Sequence, residues 1–207
     1  MCVKMIGKIY VASMNMRGKW AEPILEDSIK INVTSAQSKI NKNRIDFSPM
    51  TEIVGGYKGY WNFESYWQSG KVYENISINK TKEWWRKLKE PKRRFPNSKG
   101  KKVLYSLFDR NDEKMDYITS RKKVYVPEYY ELIKNREMIL YWRKMLCKGY
   151  NLVVYDFDGP RTTNGSIICL ELTKELLIEK INNAQFPFGH GYIVAATIFG
   201  IHPDKYI

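Results

Sequence analysis

The chain has 207 residues, 43% of them hydrophobic, with six tryptophans, fifteen tyrosines and eight phenylalanines. That composition excludes a disordered or fibrous protein, and the length is sufficient to bury a core without disulfides or a structural metal. The formal net charge of +13 excludes an acidic solvating chain and suits a polyanionic partner.

The opening stretch, "MCVKMIGKIYVASMNM", contains no apolar run long enough for a signal peptide or a membrane span. A soluble, intracellular, cytoplasmic protein with no membrane partner is therefore expected. The three cysteines, Cys2, Cys147 and Cys169, lie far apart in no CxxC pair and no Cys/His cluster, which argues against a zinc site and for a reducing compartment.

"KIYVAS" (8–13) and "SIKINVTS" (28–35) are rich in β-branched residues and read as strands. Residues 38–59, with Ser-Pro, Gly-Gly and Lys-Gly steps, read as a long ordered loop of the kind that often carries function. A helix is expected over 60–75. A second is expected over 79–89, capped by Asn79 or Thr81 and closed by Pro91. Residues 91–98 read as a basic linker and 99–122 as helical in their centre, with "KVYV" (123–126) as a short strand. Pro127 opens what reads as one helix through Cys147, with acids early, bases late and Gly149 after the end. "YNLVVYDF" (150–157) is a buried strand and 158–166 a turn-rich loop. Residues 172–183 form an amphipathic helix, and the chain ends on a glycine-rich turn and a buried helix. The fold class is α+β, predominantly helical with a small β-sheet, in a single domain spanning 1–207.

Residues 80–102, "KTKEWWRKLKEPKRRFPNSKGKK", hold eleven Lys or Arg against two Glu. Such a field attracts polyanions, and Trp84-Trp85 among Arg86, Arg93 and Arg94 has the character of base stacking combined with phosphate contacts. The alternative is a plain solvated surface in a chain generally rich in Lys, Asn and Ile. Adjacent tryptophans on a helix point about 100° apart, so one of the two belongs in the core.

"YWNFESYWQSGKVY" (60–73) sets polar side chains among large aromatics. On a helix Glu64, Gln68 and Lys71 fall within roughly 60° of one another, beside a stripe formed by Tyr60, Phe63 and Trp67. That strip is either a pocket wall or a solvated helix edge with an i,i+4 hydrogen bond.

"NFESYWQSGKVY" resembles the signature helix of the NADAR (YbiA-like) N-glycosidases, a Glu-His-Tyr-aromatic-Gln-small-x-Lys-aromatic pattern. Glu64, Tyr66, Gln68 and Lys71 fall on its Glu, Tyr, Gln and Lys, and Ser65 replaces its His. Upstream, "DFSPM" (46–50) is similar to the family's Phe-Ser-Asn-Phe segment in Phe47 and Ser48. Downstream, "YDFDGP" and "PFGHGYIVAATIFG" resemble its closing glycine-rich pattern, with His190 near the Asn position and the Trp absent. On this resemblance the fold is YbiA-like, with a core over 40–201 to which the strands of 1–36 are an addition.

The resemblance implies hydrolysis of a ribose–nitrogen bond in a nucleotide or ADP-ribosyl conjugate, with no cofactor and no metal. Substrates of the family are phosphoribosylated riboflavin intermediates and ADP-ribose on guanine. An oxocarbenium-like centre at C1′ calls for a nearby carboxylate, for which Glu64 is the first choice. Asp156 and Asp158, where a buried strand meets a glycine turn, are candidates for a second acid, the alternative being that they bond the turn amides. Lys71 is placed to pair with Glu64 or to hold a phosphate, and Gln68 and Ser48 to line the site. Trp61 and Trp67 are candidates to stack a base. His190 either contacts the substrate or simply starts a helix. A non-catalytic protein that binds nucleic acid or a nucleotide through 80–102 is the alternative function. No GxxxxGK[ST], GxGxxG or GxSxG motif supports a kinase, P-loop or serine-hydrolase reading.

Overall fold

The computed structural model describes residues 7–23, 25, 27–35, 40–109 and 113–207. Cys2, and small parts of the readings made for 1–36, 38–59 and 99–122, lie outside the described residues. In chain order the elements are strands β1 (Ile9–Ser13) and β2 (Ser28–Asn32), helices α1 (Lys42–Phe47) and α2 (Phe63–Ser69), strand β3 (Lys71–Tyr73), helix α3 (Ile78–Lys87) and strand β4 (Val103–Ser106). Helix α4 (Tyr117–Ser120) continues as a wider π-helical turn over Arg121–Tyr125 into α5 (Val126–Ile133). Then come α6 (Glu137–Cys147), β5 (Asn151–Asp156), β6 (Cys169–Glu171), α7 (Lys174–Asn182), α8 (His190–Phe199) and a short 3₁₀ turn at Pro203–Lys205. This is the expected mixture of helices with a small mixed sheet. Among the described residues no helix is long and apolar enough to cross a membrane.

The chain divides into two compact units, one of residues 1–48 and 126–207, the other of residues 49–125. The first is built on a four-stranded sheet in the order β2-β5-β1-β6, with β1 and β2 each parallel to β5, and β6 antiparallel to β1. β1 is buried along its whole length and β5 along nearly all of it, which is why "IYVAS" and "NLVVYD" read as almost continuous apolar runs rather than alternating ones. α8 packs on both strands, and α5 and α6 pack on α8. Every residue of α8 except Phe199 is buried, as its apolar sequence on all sides requires. Gly200, at φ 92°, ends that helix in the left-handed region that a β-carbon disfavours.

Several expectations are corrected in this unit. The 38–59 segment is not all loop: Asn41 accepts from the Arg44 N–H and nucleates α1, which Ser48-Pro49 closes. The single helix expected from Pro127 to Cys147 is two helices. Arg136 interrupts it, donating to the carbonyls of Leu132 and Asp46, so a tertiary contact takes the place of helical continuity. Cys169 is buried and takes no part in a disulfide. Cys147 is disulfide-bonded.

The second unit packs α2 against α3 and pairs β3 with β4 in an antiparallel ribbon, Lys71 opposite Ser106. Its core is aromatic: Phe63, Tyr66, Trp67, Phe108 and Tyr125 form a chain of ring contacts with centroids 4.9–6.3 Å apart. The helix expected over 60–75 stops at Ser69. A β-carbon on Gly70 would lie 2.4 Å from the Phe108 ring, so the helix ends where that ring must pack. The cap of α3 is Ser77, ahead of the expected Asn79 or Thr81. Residues 99–122 are not centrally helical: "VLYS" pairs with β3, and helix begins only at α4, where Asp116 accepts from the Thr119 N–H. "KVYV" is helical rather than extended. Its short β-branched run has no strand to pair with and continues the helix that Asp116 starts, burying Val124 and Tyr125.

Candidate active site

Helix α2 is anchored before it begins. Asn62, fully buried, accepts from the Ser65 N–H at 2.7 Å and donates from Nδ2 to the Met50 carbonyl at 2.8 Å. The Glu64 N–H donates to the Pro49 carbonyl at 2.8 Å. These bonds fix the first turn, where Glu64 sits half-buried while all other residues of the helix are buried. Gln68, one turn on, donates from Nε2 to Glu64 Oε1 at 2.6 Å. Among the described residues no second hydrogen bond reaches that half-buried carboxylate.

Lys71 does not share the helical strip with Glu64 and Gln68 as the sequence predicts. It stands on β3, beyond the Gly70 break, with Nζ 5.8 Å from the centre of the Trp67 ring. Trp67 itself is buried and stacked on Phe108 at 5.7 Å, so it is a core residue and presents no face for a base. Trp61 is half-buried, in the turn before α2. The Ser65 hydroxyl, at the position where the resembling pattern has His, is buried and has no hydrogen-bond partner among the described residues.

Asn62 was missed by the sequence reading, although an Asn three residues before a backbone donor at a helix start is a capping signal. Lys58 was missed too. It lies at φ 52° in a turn whose glycines Gly55, Gly56 and Gly59 are also left-handed, and its ammonium stands 4.6 Å from the centre of the Tyr66 ring. A non-glycine residue held in that region is uncommon, and the Gly-Gly-Tyr-Lys-Gly run is the signal that points to it.

Asp156, Asp158, His190 and Ser48 belong to the other unit. Asp156 ends β5 and is buried. Its Oδ2 accepts from the Gly191 N–H at 3.0 Å and lies 3.1 Å from His190 Nδ1, while His190 Nε2 is 2.5 Å from the Val33 carbonyl. Asp156 Oδ2 and both ring nitrogens of His190 are thus engaged by groups of the fold itself, as the turn-bonding and helix-start alternatives expect. The packing is close enough that a β-carbon on Gly189 would stand 2.5 Å from Asp156 Oδ2. Asp158 is exposed, and its carbonyl accepts from the Gly189 N–H at 3.3 Å. Ser48 caps the end of α1, its N–H donating to the Arg44 carbonyl.

Of the basic candidates, Arg86 is committed to Asp109 at 2.7 Å, together with Lys82 at 2.8 Å. Burial opposes the Asp109 charge, but the bonds and attraction of Lys82 and Arg86 outweigh it and hold the carboxyl below its usual range. Arg86 also lies over the Tyr60 ring at 5.5 Å. Arg93 and Arg94 are exposed. The tryptophan pair divides as helix geometry requires, with Trp85 buried and Trp84 half-buried.

In comparisons with known proteins, no family model, no curated protein and no solved structure matches the chain.

Proposed function

We propose that the protein is an N-glycosidase that hydrolyses a ribose–nitrogen bond in a nucleotide or ADP-ribosyl conjugate, with Glu64 as its catalytic carboxylate. The observation that carries this reading is the Glu64–Gln68 pair: a half-buried carboxylate, one oxygen held by an amide donor, on a helix start anchored by Asn62. The likeness of this helix to the NADAR signature supports it.

In the reaction, water oxygen bonds to C1′ as the C1′–N bond breaks, and the bonding pair leaves on nitrogen, which takes up a proton. Glu64 stabilises the positive charge that develops at C1′ or accepts the proton of the attacking water. Gln68 holds the carboxylate in one orientation, so no reorganisation is needed as charge develops. Lys71, at the head of β3, is assigned to a substrate phosphate, and Trp61 is the aromatic left to stack the base once Trp67 is committed to the core.

The deciding experiment is single-turnover hydrolysis of N-glycosidic conjugates by the parent and by Glu64→Gln, run beside a binding measurement. Glu64→Gln keeps the size of the side chain and removes its charge. A rate loss of roughly 10²–10⁴ with binding retained is expected. An unchanged rate would make Glu64 a helix-edge residue and remove the assignment.

A further inference from the structure

We propose that the outer face of the 49–125 unit, formed by α3 and the segment that follows it to Lys102, is a docking surface for single-stranded nucleic acid. This goes beyond the glycosidase reading and does not depend on it.

The sequence places eleven cations in this stretch, and the structure shows which of them the fold uses. Lys82 and Arg86 pair with Asp109, Lys87 with Glu83, and Lys92 with Glu90. Lys80, Lys89, Arg94, Lys99, Lys101 and Lys102 make no ion pair among the described residues, and all six are exposed. Like charges gathered in one segment repel one another, and among the described residues no carboxylate pairs with these six, so a polyanion would supply the counter-charge.

The segment is held in shape rather than left as a tail. The Ser98 hydroxyl donates to the Phe95 carbonyl at 2.8 Å, the Lys101 N–H donates to the Ser98 carbonyl at 3.1 Å, and Asn97 and Gly100 take the left-handed conformations those turns need. A prearranged cationic track loses less entropy on binding than a flexible one.

Aromatic rings lie within the track. Trp84 is half-buried, in T-shaped contact with buried Trp85 at 4.8 Å and with half-buried Phe95 at 5.4 Å, so a partly exposed ring held by two others lies in the same segment as the cations. Cations interleaved with aromatic faces are what a single strand uses, because its bases are unstacked and able to lie on a ring. A duplex offers phosphates but keeps its bases stacked, and a membrane surface would require these rings to be free of the core.

The test is fluorescence anisotropy with a labelled oligo(dT) of roughly 16 nucleotides. It is run against a duplex of equal length, an abasic strand of equal length, and anionic phosphatidylserine vesicles. The variants are Arg94→Ala/Lys99→Ala/Lys102→Ala and, as a control of equal charge change on exposed residues of the other unit, Lys144→Ala/Lys148→Ala/Lys174→Ala. Oligo(dT) is expected to bind more tightly than the duplex, the abasic strand or the vesicles. The first triple variant should weaken oligo(dT) binding at least about tenfold and flatten its salt slope by about two, at about 0.7 per phosphate contact. The control triple should leave both unchanged. Equal losses from the two triples would reduce the effect to net charge and overturn the surface. Preference for the duplex or the vesicles would overturn the single-strand assignment, and equal binding of the abasic strand would remove the stacking role of Trp84. Because the readout is binding alone, a hydrolytically inactive protein would still return a clear answer.

Discussion

Gln68 Nε2 donates to Glu64 Oε1 at 2.6 Å across one turn of α2, and this single bond decides how the carboxylate is presented. Gln68 is itself buried by the aromatic core, so its amide is a fixed post rather than a mobile surface group.

Replacing Gln68 by Leu removes that donor while keeping the bulk. If Gln68 positions Glu64, kcat should fall by roughly tenfold to a hundredfold while KM changes little, since the lost bond is one to a charged acceptor. Gln68→Asn, too short to reach, should behave like Gln68→Leu, whereas Gln68→Lys, which restores a donor, should recover part of the rate. Equal activity in all three would show that the pair is structural.

Lys71→Ala should act differently. On β3 its ammonium is separate from the helix strip, so its loss should weaken binding of a phosphate-bearing substrate by roughly tenfold to a hundredfold and leave the rate of the bound complex nearly unchanged. A substrate lacking the phosphate should show no difference between the parent and the variant, which isothermal titration would reveal.

Leu146 is fully buried on α6, in the unit where α6 packs on α8. Leu146→Ala should cost about 2–5 kcal/mol in denaturant unfolding, the transfer and cavity contributions together. A loss below about 0.5 kcal/mol, the scale of a surface substitution, would contradict the packing described.

Asp156→Ala leaves the Gly191 N–H and His190 Nδ1 without their buried acceptor. A destabilisation of about 1–3 kcal/mol is expected, the range for leaving buried hydrogen-bonding groups without a partner. If Asp156 were instead a catalytic acid with little structural duty, the variant would lose activity with its unfolding midpoint intact, and paired measurements of the two separate these outcomes.

Tyr155 lies buried in the sheet, its hydroxyl donating to the Ala21 carbonyl, and burial pushes its ionisation up to about 12 from an ordinary value of 10.0. The folded pKa is raised above the unfolded one, so the stability contributed by the neutral phenol is complete below pH 10. It declines as pH rises toward 12 and falls no further above that. Tyr129, Tyr192 and Tyr206 are raised as well, chiefly by burial, and extend the alkaline loss to higher pH. Tyr155→Phe should flatten the dependence between pH 10 and 12 in urea titrations at stepped pH. An unchanged profile would place the Tyr155 ring in solvent.

The sequence by itself determined the elements whose signal is local and repeated. β1, β5 and α8 were legible because a strand buried on both faces, or a helix buried all round, must be apolar along its whole length. One tryptophan of the 84–85 pair had to be buried, because adjacent residues on a helix point about 100° apart. Glu64 and Gln68 were legible as a pair because i and i+4 meet on any helix.

What only the tertiary structure decided depends on partners distant in the chain. Lys71 left the helix because Phe108 occupies the space a β-carbon at Gly70 would need. "VLYS" became a strand because β3 was there to pair with it, and "KVYV" stayed helical because no strand was. The helix beginning at Pro127 broke at Arg136 because the Asp46 carbonyl captured its guanidinium. Asp156 and His190 carry residue types suited to catalysis, and a strand end followed by glycines is a usual place for such groups. The folded chain spends them on Gly191 and Val33, since a buried polar group must find a partner and the nearest ones were in the backbone. Net charge could be counted from the sequence, but Asp109, Glu83 and Glu90 selected which cations remain unpaired, because an ion pair forms only where folding brings the opposite charge within reach.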